Sequence, residues 1–268
     1  MQRDSVQNVI VVSLGLCLVC SVIVSSVAVS LRPIQKKNQE LDFQKNILSA
    51  AGMWNPEEDA PTSGEGTVEE VFAQVEPRLV DLETGEYVSG SEVDFNVSDY
   101  DPRKASKDPD LSKPVENDIA GIKTRERYTF VYEVKGEDDQ VSLFIFPIRG
   151  YGLWSTLRGF IAIDKDLLTI RGLTFYEHAE TPGLGGEVDN PNWKATWPGK
   201  IAFNDEGDVT ITVIKGQVTA DDPNAQYKID GLSGATITTK GIDNMLQYWL
   251  GENGFGPFIN KIRSAGDQ

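Results

Sequence analysis

A threonine hydroxyl stands at the mouth of a helix in this chain. Asp230-Gly231-Leu232-Ser233-Gly234-Ala235-Thr236 leads into a segment where Ile242, Met245, Leu246, Trp249 and Leu250 recur at helical spacing. That periodicity predicts a helix with one apolar face. Thr238 or Thr239 is the expected N-cap, and Gly251 the expected stop. A helix N-terminus offers unpaired N–H groups and a partial positive charge, so it holds phosphate well. Ser233, Gly234 and Ala235 leave room for a bulky group to approach the backbone. No His or Cys lies within about twenty residues of Thr236, so no neighbouring base would activate it as a catalytic nucleophile. An acceptor threonine modified by a separate enzyme needs no such base. The competing reading is an ordinary small-residue turn before a helix.

Two further segments combine glycines with aromatic or polar side chains, which suits a flat ring with hydrogen-bonding edges. One is Gly150-Tyr151-Gly152-Leu153-Trp154-Ser155. The other is Glu177-His178-Ala179-Glu180-Thr181-Pro182-Gly183-Leu184-Gly185-Gly186. Taken singly, the first also reads as a strand end with a buried Trp and the second as a long Pro-Gly turn. His178 is open to three readings: general acid, metal ligand or plain loop residue. It is the single histidine of the chain, which excludes a multi-histidine metal site.

These segments need elements to position them. The 268 residues suffice for one large domain or two small ones. A formal net charge of -16 argues against nucleic acid as a partner, because phosphate backbones require clustered Lys and Arg. The acidity fits a solvated, exposed body. After a short tail at 1–8, residues 9–31 carry no charge. A helix of about 23 residues spans about 35 Å, against a hydrocarbon core of about 30 Å, so one tilted membrane crossing is expected. A signal peptide cleaved near Ala28-Val29-Ser30 competes, although its apolar core normally runs only about 7–15 residues. The span lacks the ionisable groups that mark ion paths and reads as an anchor. Cys17 and Cys20 lie within it, without charged neighbours, and read as small apolar residues. Arg3 precedes the span, and Arg32, Lys36 and Lys37 follow it, which by charge alone places the large domain in the cytoplasm. Past Pro33, the seven-residue recurrence of Ile34, Leu41 and Leu48 predicts a juxtamembrane helix over 32–52, stopped by Gly52.

The soluble body, 53–268, reads as α+β with a mainly antiparallel sheet and flanking helices. Thr67 and Glu70 have capping-box spacing for a short helix over 67–75. Residues 79–82 and 87–88 read as a hairpin, and 98–114 as an exposed loop. Strands are expected over 128–134 and 141–148, joined by a turn through Gly136, Asp138 and Asp139. Further pairs are expected at 159–164 with 167–176 and at 201–203 with 209–214. No Gly-x-Gly-x-x-Gly follows a strand.

In order and together, these segments resemble the family of C-type subunits of sodium-pumping NADH:quinone oxidoreductases. The resemblance covers nearly the whole chain. It includes Asn46-Ile47-Leu48 and the ending Tyr248-Trp249-Leu250-Gly251-Glu252-Asn253-Gly254-Phe255-Gly256-Pro257-Phe258. The homologous G-type subunit of the Rnf complex shares the threonine motif and the Thr-Pro-Gly-Leu-Gly loop and is the alternative. The Gly-Phe-Gly-Pro-Phe ending and the Tyr-Gly-Leu-Trp segment favour the C type. The acidic stretch 55–120 is expanded relative to the family pattern.

The resemblance implies a bacterial inner-membrane protein with FMN bound by a phosphoester to Thr236, attached by a flavin transferase outside the cytoplasm. It therefore implies a periplasmic flavin domain, against the charge count. The implied role is to relay electrons between redox centres, with NADH oxidation, ubiquinone reduction and sodium passage belonging to the other subunits. Under this reading Ser233, Gly234 and Ala235 shape the phosphate turn. Asp230 either binds the transferase's metal or pins that turn. Thr181, Gly183, Leu184 and Gly185 contact the isoalloxazine ring or ribityl chain, joined by Tyr151, Leu153, Trp154 and Glu177. Lys215, at a strand end, sits near the phosphate. A flavin-free, membrane-anchored binding protein is the alternative of a different class.

Overall fold

The computed structural model describes residues 6–136 and 139–266. The expected turn residue Asp138, Arg3 and most of the N-terminal tail lie outside them. The chain divides into two compact units, Met1–Phe43 and Gln44–Gln268.

The first unit is helical. Helix α1 runs unbroken over Val6–Ala50, with Pro33 inside it. The sequence predicts two helices here, separated near Pro33. Proline removes one ladder hydrogen bond at about 3 kcal/mol. The helix nevertheless continues through Pro33 into 34–50, where Gln35, Lys36, Lys37, Gln39 and Glu40 are good helix formers. The helix is long and apolar enough to cross a membrane. Its apolar side chains are exposed, Leu14 and Leu18 each at 65%, unlike those of a core helix. The last turn of α1 belongs to the second unit and stops as expected at Gly52, which has φ +72°. Gly52 N–H donates to Ser49 O at 3.0 Å and Met53 N–H to Leu48 O at 2.8 Å, a Schellman closure.

The second unit is built on a five-stranded antiparallel meander: β1 (Val75–Asp81), β2 (Tyr128–Lys135), β3 (Val141–Tyr151), β4 (Thr156–Asp164) and β5 (Ile170–Glu177). The inner strands β3 and β4 carry continuous buried runs at 143–146 and 160–163, because both faces are covered there. Phe144, Phe146, Ile148, Ile161, Ile163, Leu173 and Phe175 pack in the main core with α3 (Thr236–Leu250) and α4 (Gly256–Gly266). On the other face, Thr174 is bonded to Asn46, and a Cβ at Gly172 would lie 2.5 Å from Ala50 O. Ile47 and Leu48 are fully buried in the last turns of α1.

Several boundaries differ from expectation. The capping box at Thr67 and Glu70 forms, but its helix, α2, covers only Val68–Phe72, and β1 begins at Val75. The 79–88 hairpin forms as a short antiparallel pair about Val80 and Tyr87, with Val88 N–H donating to Leu79 O and Asp81 N–H to Glu86 O, both at 2.9 Å, while β1 pairs with β2 along its other edge. The expected loop 98–114 contains a helical turn, Pro102–Ala105, and a strand, Ser112–Pro114, paired with Thr124–Glu126. The 201–214 pair is limited to a Phe203–Val209 bridge, and Thr212–Val213 instead pairs in parallel with Lys228–Ile229. Helix α4 was not expected at all.

Candidate functional site

Helix α3 begins at Thr236 itself. Its N-cap is Ala235, and no side chain caps it. Thr238 and Thr239, expected as caps, have their hydroxyls engaged elsewhere. Thr238 Oγ1 donates to Glu180 Oε2 at 2.7 Å, and Thr239 Oγ1 accepts the Leu232 N–H at 3.0 Å. Thr236 is exposed on the first turn, where the helix's N–H groups lack intrahelical acceptors. The turn before it depends on Gly234, whose φ of +72° disfavours any other residue. A Cβ there would also stand 2.9 Å from Leu184 Cδ2, so the 181–185 loop packs directly on the Ser-Gly-Ala-Thr turn.

The Gly152-Leu153-Trp154-Ser155 stretch is the turn of the β3–β4 hairpin, closed by Gly152 N–H to Ser155 O at 2.9 Å. Helix α3 lies hard against its base. A Cβ on Gly241 would come within 2.3 Å of Tyr151 O. The three glycine-containing segments therefore meet at the start of α3.

Glu180, which sequence reasoning did not single out, ties them together. Its buried carboxylate accepts the N–H groups of Leu153 (3.2 Å), Trp154 (3.0 Å) and Ser155 (3.1 Å), the Ser155 hydroxyl, and the Thr238 hydroxyl. Cβ atoms on Gly152 or Gly185 would collide with this carboxylate at 2.8 and 2.7 Å, so both glycines make room for it. Burial pushes the carboxyl pKa up, but the Thr238 hydroxyl and the hairpin N–H groups outweigh that and hold it below the ordinary range. The only sequence signal was a carboxylate set directly before a Thr-Pro-Gly turn.

The other expected site residues divide by role. Tyr151, Leu153, Trp154 and Leu184 are exposed large apolar side chains, and Ile237 joins them without having been singled out. Thr181 and Gly183 are exposed on the loop, with Thr181 O accepting from Leu184 and Gly186. Gly185 is buried against Glu180 and Thr238. Glu177 is held by Arg103 through two hydrogen bonds of 2.8 and 2.6 Å. Asp230 is engaged within the fold: its Oδ1 accepts the Val218 N–H at 2.7 Å, and its carbonyl accepts Trp193 Nε1 at 2.8 Å. Lys215 is exposed beside Gly216, whose carbonyl accepts the Gly231 N–H at 2.8 Å. Ser233 is exposed and Ala235 buried. His178 contacts Asp189 Oδ2 through Nε2 at 2.7 Å, while Nδ1 accepts the Glu180 N–H at 3.3 Å. This places it as a loop-holding residue behind Glu180.

Residues 152–251, which run from the hairpin turn to the end of α3, match the FMN-binding domain family. The chain is 45% identical over 265 residues to the C-type subunit of the Na(+)-translocating NADH-quinone reductase of Pseudomonas aeruginosa, covering 98% of each. It is 44% identical to the corresponding Yersinia pestis protein, covering 98% of this chain and 95% of that one. Among solved structures it resembles Shewanella oneidensis NqrC, with 36% identity and a TM-score of 0.73 over 86% of this chain and 99% of that one. The structure of the same reductase component from Parabacteroides distasonis gives 30% identity and a TM-score of 0.62, over 85% and 96%.

Proposed function

The chain belongs to the NqrC family, the C-type subunits of Na(+)-translocating NADH-quinone reductases, and we propose that it carries FMN as a phosphoester on Thr236. We further propose that it relays electrons between redox centres of that complex. The observation that carries this reading is an exposed Thr236 hydroxyl on an uncapped helix terminus, around which Glu180 gathers two other segments.

The residues present fit the group. Phosphate is favoured by the first-turn N–H groups and the positive end of the helix dipole. Ser233 and Gly234 keep the approach to the hydroxyl open, with Lys215 proposed as a nearby countercharge. The exposed side chains of Tyr151, Leu153, Trp154, Leu184 and Ile237 offer apolar surface to a flat ring. Thr181 and Gly183 add polar and backbone edges, whereas Gly185 and Glu177 act behind that surface. Bound FMN supplies the redox chemistry. The chain's own groups seat it, orient it and leave it reachable.

Attachment breaks the Thr236 O–H bond and one P–O bond at the phosphorus of an activated flavin nucleotide and forms the Thr236 Oγ1–P bond. The displaced oxygen leaving group carries off the proton, and the chain's net gain is FMN less one water. No base adjoins Thr236 in sequence, and a flavin transferase supplies the activation. The flavin domain then lies on the periplasmic side, with 9–31 as the single anchor in the inner membrane. NADH and quinone sites belong to the other subunits. The test is the intact mass of the full chain made with and without an active transferase, followed by peptide mapping. The added mass is expected on the peptide bearing Thr236. Its absence with active transferase present would leave an ordinary helix start and remove the redox role.

A further inference from the structure

The chain's single histidine stands two residues before Glu180, and its hydrogen bonds fix which ring nitrogen holds the proton. His178 Nε2 lies 2.7 Å from Asp189 Oδ2. An ionised carboxylate can only accept, so Nε2 carries the hydrogen. Nδ1 is left as a lone pair, and it accepts the Glu180 N–H at 3.3 Å. Asp189 is itself fixed. Its Oδ1 lies 3.5 Å from Lys194 Nζ, which donates to Thr174 Oγ1 on β5 at 3.4 Å. Between the two, the Ala179 N–H donates to the Ser155 hydroxyl at 2.8 Å, and that hydroxyl donates to Glu180 Oε1 at 3.2 Å. Residues 178–180 thus form a strap that sets the Glu180 carboxylate against the hairpin turn.

A proton added to the ring goes to Nδ1. It replaces the lone pair with a donor that faces the Glu180 N–H, so that bond is lost. The bond to Asp189 survives and gains charge. The ring therefore stays docked while the strap is released from it. The charged groups on the surrounding elements are otherwise engaged. Glu177 is held by Arg103 at 2.8 and 2.6 Å, with Arg158 at 3.8 Å, and Glu187 accepts from Asn190 at 2.7 Å. The Glu180 carboxylate is taken up by the hairpin turn and Thr238. Histidine is the side chain that changes charge between about pH 5 and 8. Glu180, held low by its bonds, stays ionised there.

We propose that His178 is a positioning residue for the flavin seat: with Nε2 alone protonated it holds the Glu180 strap, and a second proton loosens both the strap and the clamp Glu180 makes on the hairpin turn and α3. The seat is then firm at neutral pH and loosens in mild acid. This role deepens the flavin reading and rests on it for its purpose, although the bonds themselves involve no flavin.

The experiment is hydrogen exchange read by mass spectrometry from about pH 5 to 8, on the tag-free full-length chain in neutral detergent, made without a transferase. Rates are corrected for the intrinsic pH dependence of exchange. The carbon-13 Cε1 signal of the single histidine gives its midpoint on the same samples. Protection of peptides covering 151–156 and 178–186 should fall about threefold or more as His178 charges, with the step at that midpoint, while 157–164 keeps its protection. His178→Asn puts an oxygen where Nδ1 stands, accepts the Glu180 N–H and does not titrate, so its protection should stay level across the range. Constant protection in the native chain through the His178 midpoint overturns the proposal, as does the same step in His178→Asn. Should that variant not fold, Asp189→Asn is read instead. It removes the anion that favours the charged ring, so midpoint and step should move together to lower pH, and a step left behind overturns the assignment. Because no flavin is present, failure here leaves the mass test of Thr236 untouched.

Discussion

Replacing Glu180 tests whether one buried carboxylate organises the site. Glu180→Gln is nearly isosteric. Its carbonyl can still accept from the hairpin turn, and its amide can donate to Thr238, whose hydroxyl then turns to accept. What disappears is the charge. Hydrogen bonds to a charged group contribute about 1.5–3 kcal/mol, against about 0.5–1.5 for neutral ones. Loss of that charge assistance should cost about 1–2 kcal/mol. Glu180→Ala is more severe, because it strands the N–H groups of Leu153, Trp154 and Ser155 and opens a void. Unsatisfied buried donors cost about 1–3 kcal/mol each, and partial rescue by water makes about 3–5 kcal/mol the reasonable total. The assay is urea unfolding at pH 7, read by tryptophan fluorescence, with flavin incorporation measured on the same samples. The pH dependence has a definite sign. The native carboxyl is held below its ordinary value, so its contribution is fully present above the unfolded pKa of about 4.3. It is lost as pH falls from there through the lower native value. Glu180→Gln should therefore flatten the acid limb of stability against pH below about pH 4. A Glu180→Ala cost under about 1 kcal/mol, or an unchanged acid limb in Glu180→Gln, would refute the clamp.

Three further changes have defined outcomes. Thr236→Ala should abolish the flavin mass while changing stability by no more than about 0.5 kcal/mol, since the side chain is exposed; attached flavin in that variant would sink the assignment. Gly234→Ala forces a side chain into φ +72° against Leu184 and should cost about 1 kcal/mol or more by denaturation, with reduced flavin incorporation. Arg149→Met leaves the buried Glu126 carboxylate without its ion pair and should lower stability by about 3–5 kcal/mol, read from the denaturation midpoint.

The sheet was legible because its strands are long, β-rich and separated by short polar turns, and β2 to β5 fall where those runs lie. The apolar face of α3 was equally plain: Ile242, Met245, Leu246, Trp249 and Leu250 are all buried. What failed were features set by distant partners. Thr238 and Thr239 have the right chemistry for caps, but Glu180 and Leu232 recruit their hydroxyls, and the helix starts earlier. Glu180 itself makes contacts 25 to 58 residues away, and no local pattern announces that. Ser112–Pro114 and Thr124–Glu126 are too short to show a period, so their pairing was hidden within an apparent loop.

For the proposed attachment, the geometry of α3 accounts for how one threonine would be selected from three. Successive helix residues turn by about 100°, so the pair 236–237 and the pair 238–239 point to nearly opposite sides. Glu180 and the Leu232 N–H draw Thr238 and Thr239 inward, where they are 0% and 4% exposed. That rotation sets Thr236 and Ile237 outward. A transferase approaching this helix start meets a single threonine hydroxyl, with an apolar residue beside it. In Thr236→Ala the neighbouring threonines should therefore not take over, because each hydroxyl is already bonded and buried. Flavin mapped to Thr238 or Thr239 in that variant would show that the first turn of α3 unwinds during attachment, and that the burial of those hydroxyls does not confer the selectivity.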